Sequence, residues 1–286
     1  VLHNLGIHVI DQITSRFGDT SSTIGYIHAF RMLDSNHKKL DEMNVKDRLT
    51  QILQDIFTGA LPNDPLNSLI INTELNSNDV FLLQGLRNYF YQLFQASFSF
   101  QIINQCLNDH PKFIYEFIML FKHKFSPKLL KSKRLSIIDT HLENLKKYLK
   151  DVSGITDDQI LRRFLSLATS CIRTNLYNRD SEMPLSFKFN CSQIFGIPTP
   201  IPYKETFVFD KILEGVHIRF GEVARGGLRW SDRINDYRTE VLDLVKTQQT
   251  KNAVIIPVGS KGGFVIKKGS TSYDDGVFQY QRFITA

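Results

Sequence analysis

The unbroken apolar run at residues 253–258, Ala-Val-Ile-Ile-Pro-Val, constrains the fold more than any other stretch of this chain. A strand with no polar side is covered on both faces, which is the usual situation in a parallel sheet. Ahead of it, residues 239–249 carry a helical stripe at Val241, Leu244 and Val245, and residues 206–209 and 216–220 alternate as strands. Strand, helix, strand is a βαβ unit, so this part of the chain is expected to be α/β. Such sheets hold ligands at the carboxyl ends of their strands, where the loop Gly259-Ser260-Lys261-Gly262-Gly263 is expected to leave the second strand.

Upstream the pattern changes twice. Residues 7–10 and 23–28 read as strands separated by a turn at 18–22, the tail of an α+β module, since two strands alone do not make a stable domain. From 41 to 125 helices dominate. Asp79 is the expected N-cap of a helix whose stripe is Leu82, Leu83, Leu86, Tyr89, Phe90, Leu93 and Phe94. His110-Pro111 and Ser126-Pro127 each end a helix, because the residue before proline is pushed out of the α region. Residues 156–159 read as a capping box opening a further helix, with Ile160, Phe164, Leu165 and Ala168 facing inward. Pro184, Pro198, Pro200 and Pro202 favour extended backbone, and a domain boundary is expected there.

The chain has 286 residues, a formal charge of +6 and a pI near 9.1. That charge raises the question of nucleic acid. Many of the cations, however, lie in the helical stretch 122–150 mixed with Asp and Glu, the pattern of a solvated face, and Phe81, Tyr89, Phe90 and Phe94 recur at core spacing. No nucleic-acid partner is expected. Residues 113–121, the best candidate for a membrane span, are interrupted by Glu116, and the chain starts at Val1 with no leader, so a cytosolic internal piece of a longer protein is expected. Cys106, Cys171 and Cys191 are odd in number and far apart, which suggests neither a disulfide framework nor a zinc site.

Chemistry concentrates in residues 224–231 and 251–263, where cations stand beside paired glycines. Glycine lets backbone amides approach an anion, while Arg supplies a fork and Lys a point charge. Gln248 and Lys251, three apart, project from one face of a helix end; with Arg225 and Lys261 they could form a pocket of three cations and an amide, suited to a dicarboxylate. The plain alternative is that Lys261 is a surface charge beside a turn. The loop lacks P-loop spacing, residues 221–227 contain no Gly-x-Gly-x-x-Gly, and the histidines show no metal-ligand spacing, which makes His217 a packed or solvated side chain. Asp232, Asp236 and Glu240 are expected to pair with Arg229, Arg233 and Arg238 rather than to hold a cation.

At these residues, Arg225-Gly-Gly-Leu-Arg-Trp-Ser-Asp-Arg and then Tyr237 through Lys261-Gly-Gly-Phe264, the chain resembles the substrate domain of the large, NAD-specific bacterial glutamate dehydrogenases. A weaker likeness extends upstream through His110-Pro111, Arg173-Thr174-Asn175 and Glu214-Gly215-Val216-His217. The resemblance implies a multidomain α and α/β protein: 1–35 the tail of an ACT-like module, 36–180 a helical region, 181–205 a proline-containing linker, and 206–286 the N-terminal part of the catalytic substrate domain. It implies Lys261 as the catalytic residue, Arg225 and Gly226 at the substrate's side-chain carboxylate, and Gln248 and Lys251 at its α-carboxylate. Two departures accompany it: Arg225 stands where the family generally has Lys, and smaller members have two more residues between the last two lysines. The implied reaction is NAD-dependent oxidation of glutamate to 2-oxoglutarate and ammonium in a cytoplasmic homo-oligomer, with the family's general-acid Asp and NAD-binding domain downstream of these residues. The isolated piece is then expected to be inactive. The competing expectation is a non-catalytic helical interaction or regulatory module.

Overall fold

The computed structural model describes residues 1–18, 25–34, 42–180, 183–250, 258–269 and 272–286, without the side chains of 42–44 and 248–250. Contacts divide the chain into two units, Val1–Phe81 and Leu82–Ala286.

In the first unit, β1 (His8–Phe17) and β2 (Gly25–Leu33) form an antiparallel ribbon whose register runs from His8↔Leu33 to Phe17↔Gly25. The expected strands are present and longer than their apolar patterns; residues 23–24 and most of the expected turn lie outside the described residues. Ile10, Ile13, Tyr26 and Ile27 stand exposed on this ribbon. Helices α1 (Glu42–Phe57) and α2 (Ser68–Asn72) follow, with Ile52, Leu66, Leu69, Leu75 and Val80 buried. Arg48 donates to the carbonyls of Ile70 and Thr73, filling acceptors that the end of α2 leaves open. The start of α3 (Ser77–Phe94) corrects the expected cap. Asn76 Oδ1 accepts from the Asp79 amide at 3.0 Å and Asp79 Oδ2 accepts from the Asn76 amide at 3.3 Å. Asp79 is therefore the third helical residue of a reciprocal capping box, and Asn76 is the cap.

The second unit holds the rest of α3, then α4 (Phe100–Asp109), α5 (Pro111–Phe125), α6 (Lys131–Lys150) and α7 (Ile155–Ser170). The prolines act as expected: α4 stops at Asp109 before His110-Pro111, and α5 stops at Phe125 before Ser126-Pro127. Helix α7 opens two residues earlier than its expected box implies, with Gly154 in place of Thr156 at the cap and no side-chain cap, while Asp157 and Asp158 sit in the first turn, where the helix dipole favours carboxylates.

A mixed sheet follows in the order β3-β4-β5-β6-β8-β7, with β3 at Cys171–Thr174, β4 at Leu185–Asn190, β5 at Lys204–Phe209, β6 at Leu213–Arg219, β7 at Leu228–Trp230 and β8 at Ser260–Ile266. Among the described strands of this sheet only β7 and β8 pair in parallel. Between them runs α8 (Tyr237–Thr250), and α9 (Tyr273–Thr285) follows β8.

Strand alternation sorts the residues onto two faces. Phe187, Phe207, Val216 and Gly263 form one cross-strand row and Phe189, Glu205, Ile218 and Lys261 the next. Helices cover this face: Tyr89 stacks on Phe189 with centroids 4.4 Å apart and meets Phe207 at 5.1 Å, Phe121 meets Phe187 at 5.9 Å, and Phe117 and Phe90 meet Phe164 at 4.7 and 5.7 Å. These rings are almost wholly buried, each contributing about 1.5–3 kcal/mol. All seven apolar residues of the α3 stripe are buried, as their spacing predicts. Helix α9 covers part of the opposite face, with Phe283 against Phe264 at 5.8 Å.

The expected boundary at 181–205 therefore falls inside a folded body. Residues 185–190 form β4, hydrogen-bonded to β3 and β5, and the helices expected to form a separate region pack on the same sheet. Pro184 sits just before β4 and the other three prolines lie in the β4–β5 connection, so they punctuate the strand without excluding it.

Candidate substrate site

The β7–α8–β8 crossover organises the candidate residues. The segment ahead of β7 already runs beside β8: Arg225 bridges Gly259 in parallel, the Ser260 amide faces the Arg225 carbonyl at 3.4 Å, and the Gly262 amide donates to Gly227 at 3.2 Å. Arg225 is exposed and Lys261 half-buried, and the shared register brings them to one end of the sheet. Gly226 permits that approach, since a Cβ there would stand 1.4 Å from the Ser260 carbonyl oxygen. Because β7 and β8 are parallel, α8 runs back antiparallel to both, and its last turn, which contains Gln248, returns to the Lys261 end. The Gln248 side chain and all of Lys251 lie outside the described residues.

Two expectations about this region change. The Lys-Gly-Gly segment is a strand, not a loop: Lys261 is the second residue of β8, paired with Ile218, and so lies at that strand's amino end. The apolar run 253–258 that was to carry this strand lies outside the described residues except for Val258. The glycines after Lys261 also have a packing reason. A Cβ on Gly262 would meet Leu228 at 2.1 Å, and one on Gly263 would meet Val241 of α8 at 2.5 Å. Since Gly263 faces α8, alternation turns Lys261 toward the α8 side as well.

Ion pairs hold α8 in place. Arg238 and Glu205 form a two-pronged pair with both bonds at 2.8 Å, their side chains 6% and 0% exposed. Tyr237 donates to Glu214 at 3.0 Å. Glu240 takes Arg229 at 2.7 Å and the Ser231 hydroxyl at 2.7 Å, tying β7 to the same helix. The expected Arg–carboxylate pairing is thus realised between Arg229 and Glu240, whereas Arg238 reaches Glu205, which lies outside the local cluster.

A second group of cations was missed in the sequence. The rows of the opposite sheet face read Arg173, Lys188, Thr206, His217, Gly262 and Asn190, Lys204, Arg219, Ser260. Burial, followed by Arg173, Arg219 and Lys204, lowers the Lys188 pKa; burial, followed by Arg219 and Lys188, lowers that of His217. Alternation within β4, β5 and β6 was the signal that could have grouped these residues. A separate cleft of about 340 Å³ is lined by Asn88, Tyr91, Gln92, Phe100, Glu214 and Lys267. Glu214 is at the end of β6 away from the Lys261 partner Ile218, so this cleft lies apart from the candidate residues.

The arrangement offers a guanidinium fork and an amine at one sheet end, which suits a ligand with carboxylates. Among the described residues no helix is long and apolar enough to cross a membrane. A family model for the bacterial NAD-glutamate dehydrogenase catalytic domain matches residues 144–286, and one for glutamate dehydrogenase helical motif 3 matches residues 61–127. The chain is 37% identical to an NAD-specific glutamate dehydrogenase of Halomonas elongata over all of its own length, and 38% identical to one of Pseudomonas aeruginosa over 94% of it. A Mycobacterium tuberculosis relative of the same name is 37% identical over 83% of the chain. The chain spans less than a fifth of these relatives, 18%, 17% and 16% in turn.

Proposed function

The chain belongs to the bacterial NAD-glutamate dehydrogenase family, and we propose that it is the glutamate-holding part of such an enzyme, which oxidises glutamate to 2-oxoglutarate and ammonium. The observation that carries the reading is the parallel register of Arg225 with Gly259, which sets an Arg fork and the Lys261 amine at one sheet end. In this reading Arg225, with the close approach allowed by Gly226, takes the side-chain carboxylate. Gln248 and Lys251 take the α-carboxylate. Lys261 takes a proton from the water that attacks the imine carbon and returns it to the nitrogen of the carbinolamine, which collapses to 2-oxoglutarate and ammonium.

NAD accepts the hydride in this chemistry, and the residues here do not fit its binding. Among the described residues the only parallel strand-to-helix turn, residues 231–236 between β7 and α8, reads Ser-Asp-Arg-Ile-Asn-Asp, with two carboxylates and no glycine where a pyrophosphate would need bare amides. The NAD site is accordingly assigned to another part of the longer protein. The proposal extends to a cytoplasmic homo-oligomer, in keeping with three free buried cysteines and with the exposed apolar side chains of the β1–β2 ribbon.

The test is glutamate-dependent NADH formation by the intact protein. Lys261→Ala should lower turnover at saturating glutamate by at least roughly 100-fold, the range of a lost general base, with little change in NAD affinity. Near-normal turnover would return Lys261 to a surface charge.

A further inference from the structure

Away from the candidate substrate site, the corner between α4 and α5 meets the start of α7 through three side chains of metal-ligating type. Cys106 lies in α4, His110 is the residue between α4 and α5, and Asp157 is in the first turn of α7. Their ligand atoms all lie within 4.8 Å of one another. His110 Nε2 stands 3.4 Å from Asp157 Oδ2, close to the edge of a tetrahedron built on metal–ligand bonds of about 2.0–2.1 Å. The Cys106 Sγ points toward the same turn, 4.0 Å from the Asp157 carbonyl oxygen.

The surroundings are built as a metal site's are. The second nitrogen of His110, Nδ1, bonds the Tyr148 hydroxyl at 2.9 Å, and the Tyr148 ring meets the imidazole edge to face at 84°. A ligating histidine is commonly oriented in this way by a partner on its other nitrogen. Pro111 keeps His110 out of helical geometry, at φ −117° and ψ 54°, so its side chain is set by the corner and not by the α4 face. The Cys106 thiol is buried at this corner.

We propose that Cys106, His110 and Asp157 bind a divalent cation of the Zn²⁺ type, with the fourth position open to water, and that the ion fastens the α4–α5 corner to α7. Sulfur, imidazole and carboxylate donors, three from the protein with water as the fourth, favour zinc over the oxygen-preferring Mg²⁺ and Ca²⁺. The sequence concealed the site because its third ligand comes from a helix 47 residues beyond His110.

The test is titration of the 286-residue chain with Co²⁺, a coloured substitute for zinc. One equivalent should produce a thiolate-to-cobalt charge-transfer band and intense tetrahedral visible bands, both displaced by Zn²⁺. Cys106→Ser and His110→Asn should abolish the charge-transfer band, while Cys171→Ser and Cys191→Ser keep it. Tyr148→Phe, which leaves all three ligands in place, should weaken Co²⁺ binding about 10-fold or more, the cost of a lost outer-shell partner. Far-ultraviolet circular dichroism checks that each variant is folded. No thiolate band in the folded wild-type chain, or a band that survives Cys106→Ser, would overturn the proposal.

Discussion

Gly226 shows how a single residue decides the candidate site. With a hypothetical Cβ 1.4 Å from the Ser260 carbonyl, any side chain would separate the Arg225 segment from β8, and with it the fork from the amine. The paired glycines were read in the sequence as openings for an anion. At Gly262 and Gly263 they are instead packing contacts against Leu228 and Val241, because a strand pressed on both a neighbouring strand and a helix has no room for side chains. The composition of that motif was legible and its cause was not, since the cause lies in residues brought near by the crossover. Arg225 gives the prediction at this scale. A bidentate carboxylate bond to a guanidinium is worth about 1.5–3 kcal/mol, so Arg225→Ala in the intact enzyme should raise the KM for glutamate roughly 10- to 100-fold. The KM for NAD should barely move. Steady-state kinetics with each substrate varied in turn make the comparison, and equal effects on both would remove Arg225 from the carboxylate.

Among the elements, helices were the most legible, because a stripe such as Leu82 to Phe94 and a proline such as Pro111 act over a few residues of local chain. What escaped were features fixed by distant partners. β4 is six residues long and flanked by prolines, and only its pairing with β3 and β5 identifies it. Arg238 likewise looked like a partner for nearby acids but pairs across the sheet with Glu205. That buried pair positions α8, and removing one member strands the other charge away from water. Arg238→Met should therefore cost about 3–5 kcal/mol in urea unfolding of the chain, and adding Glu205→Gln should recover part of the loss. A different outcome is expected at the α5–α6 hairpin. His123 stacks on His141 with their ring nitrogens 2.8 Å apart, and Glu116 accepts from His141 at 2.9 Å. Burial, then His141 and Lys122, hold the His123 pKa below its ordinary 6.5, with Glu116 opposing. The unfolded chain then binds the proton more readily, so the stabilisation is present above the ordinary value and is lost as pH falls through the lowered one. Melting temperatures between about pH 8 and pH 5 should drop less steeply in His123→Gln than in the wild type, and parallel curves would rule His123 out as the titrating group.

At the scale of the molecule, the net charge of +6 acquires a location. Arg173, Lys188, Lys204 and Arg219 share one sheet face, and Arg225 and Lys261 lie at the end of the sheet where Arg219 pairs with Ser260. Grouped cations at that end give a field that attracts anions, which would serve the dicarboxylate proposed above and which composition alone could not separate from nucleic-acid binding. In the proposed reading, holding glutamate and oxidising it are separate tasks. The chain covers 18% of its Halomonas relative, contains no Gly-x-Gly-x-x-Gly, and places two carboxylates in the one parallel strand-to-helix turn among its described residues. Given glutamate and NAD, the 286-residue chain should consequently form no NADH above the protein-free rate. Millimolar 2-oxoglutarate should nevertheless raise its melting temperature, because a ligand that binds only the folded state stabilises it by mass action. Arg225→Ala should abolish that rise while leaving the unliganded melting temperature nearly unchanged, since Arg225 is exposed. Steady NADH production by the chain alone would mean that a hydride-acceptor site lies within these residues, and the division of labour proposed here would have to be abandoned.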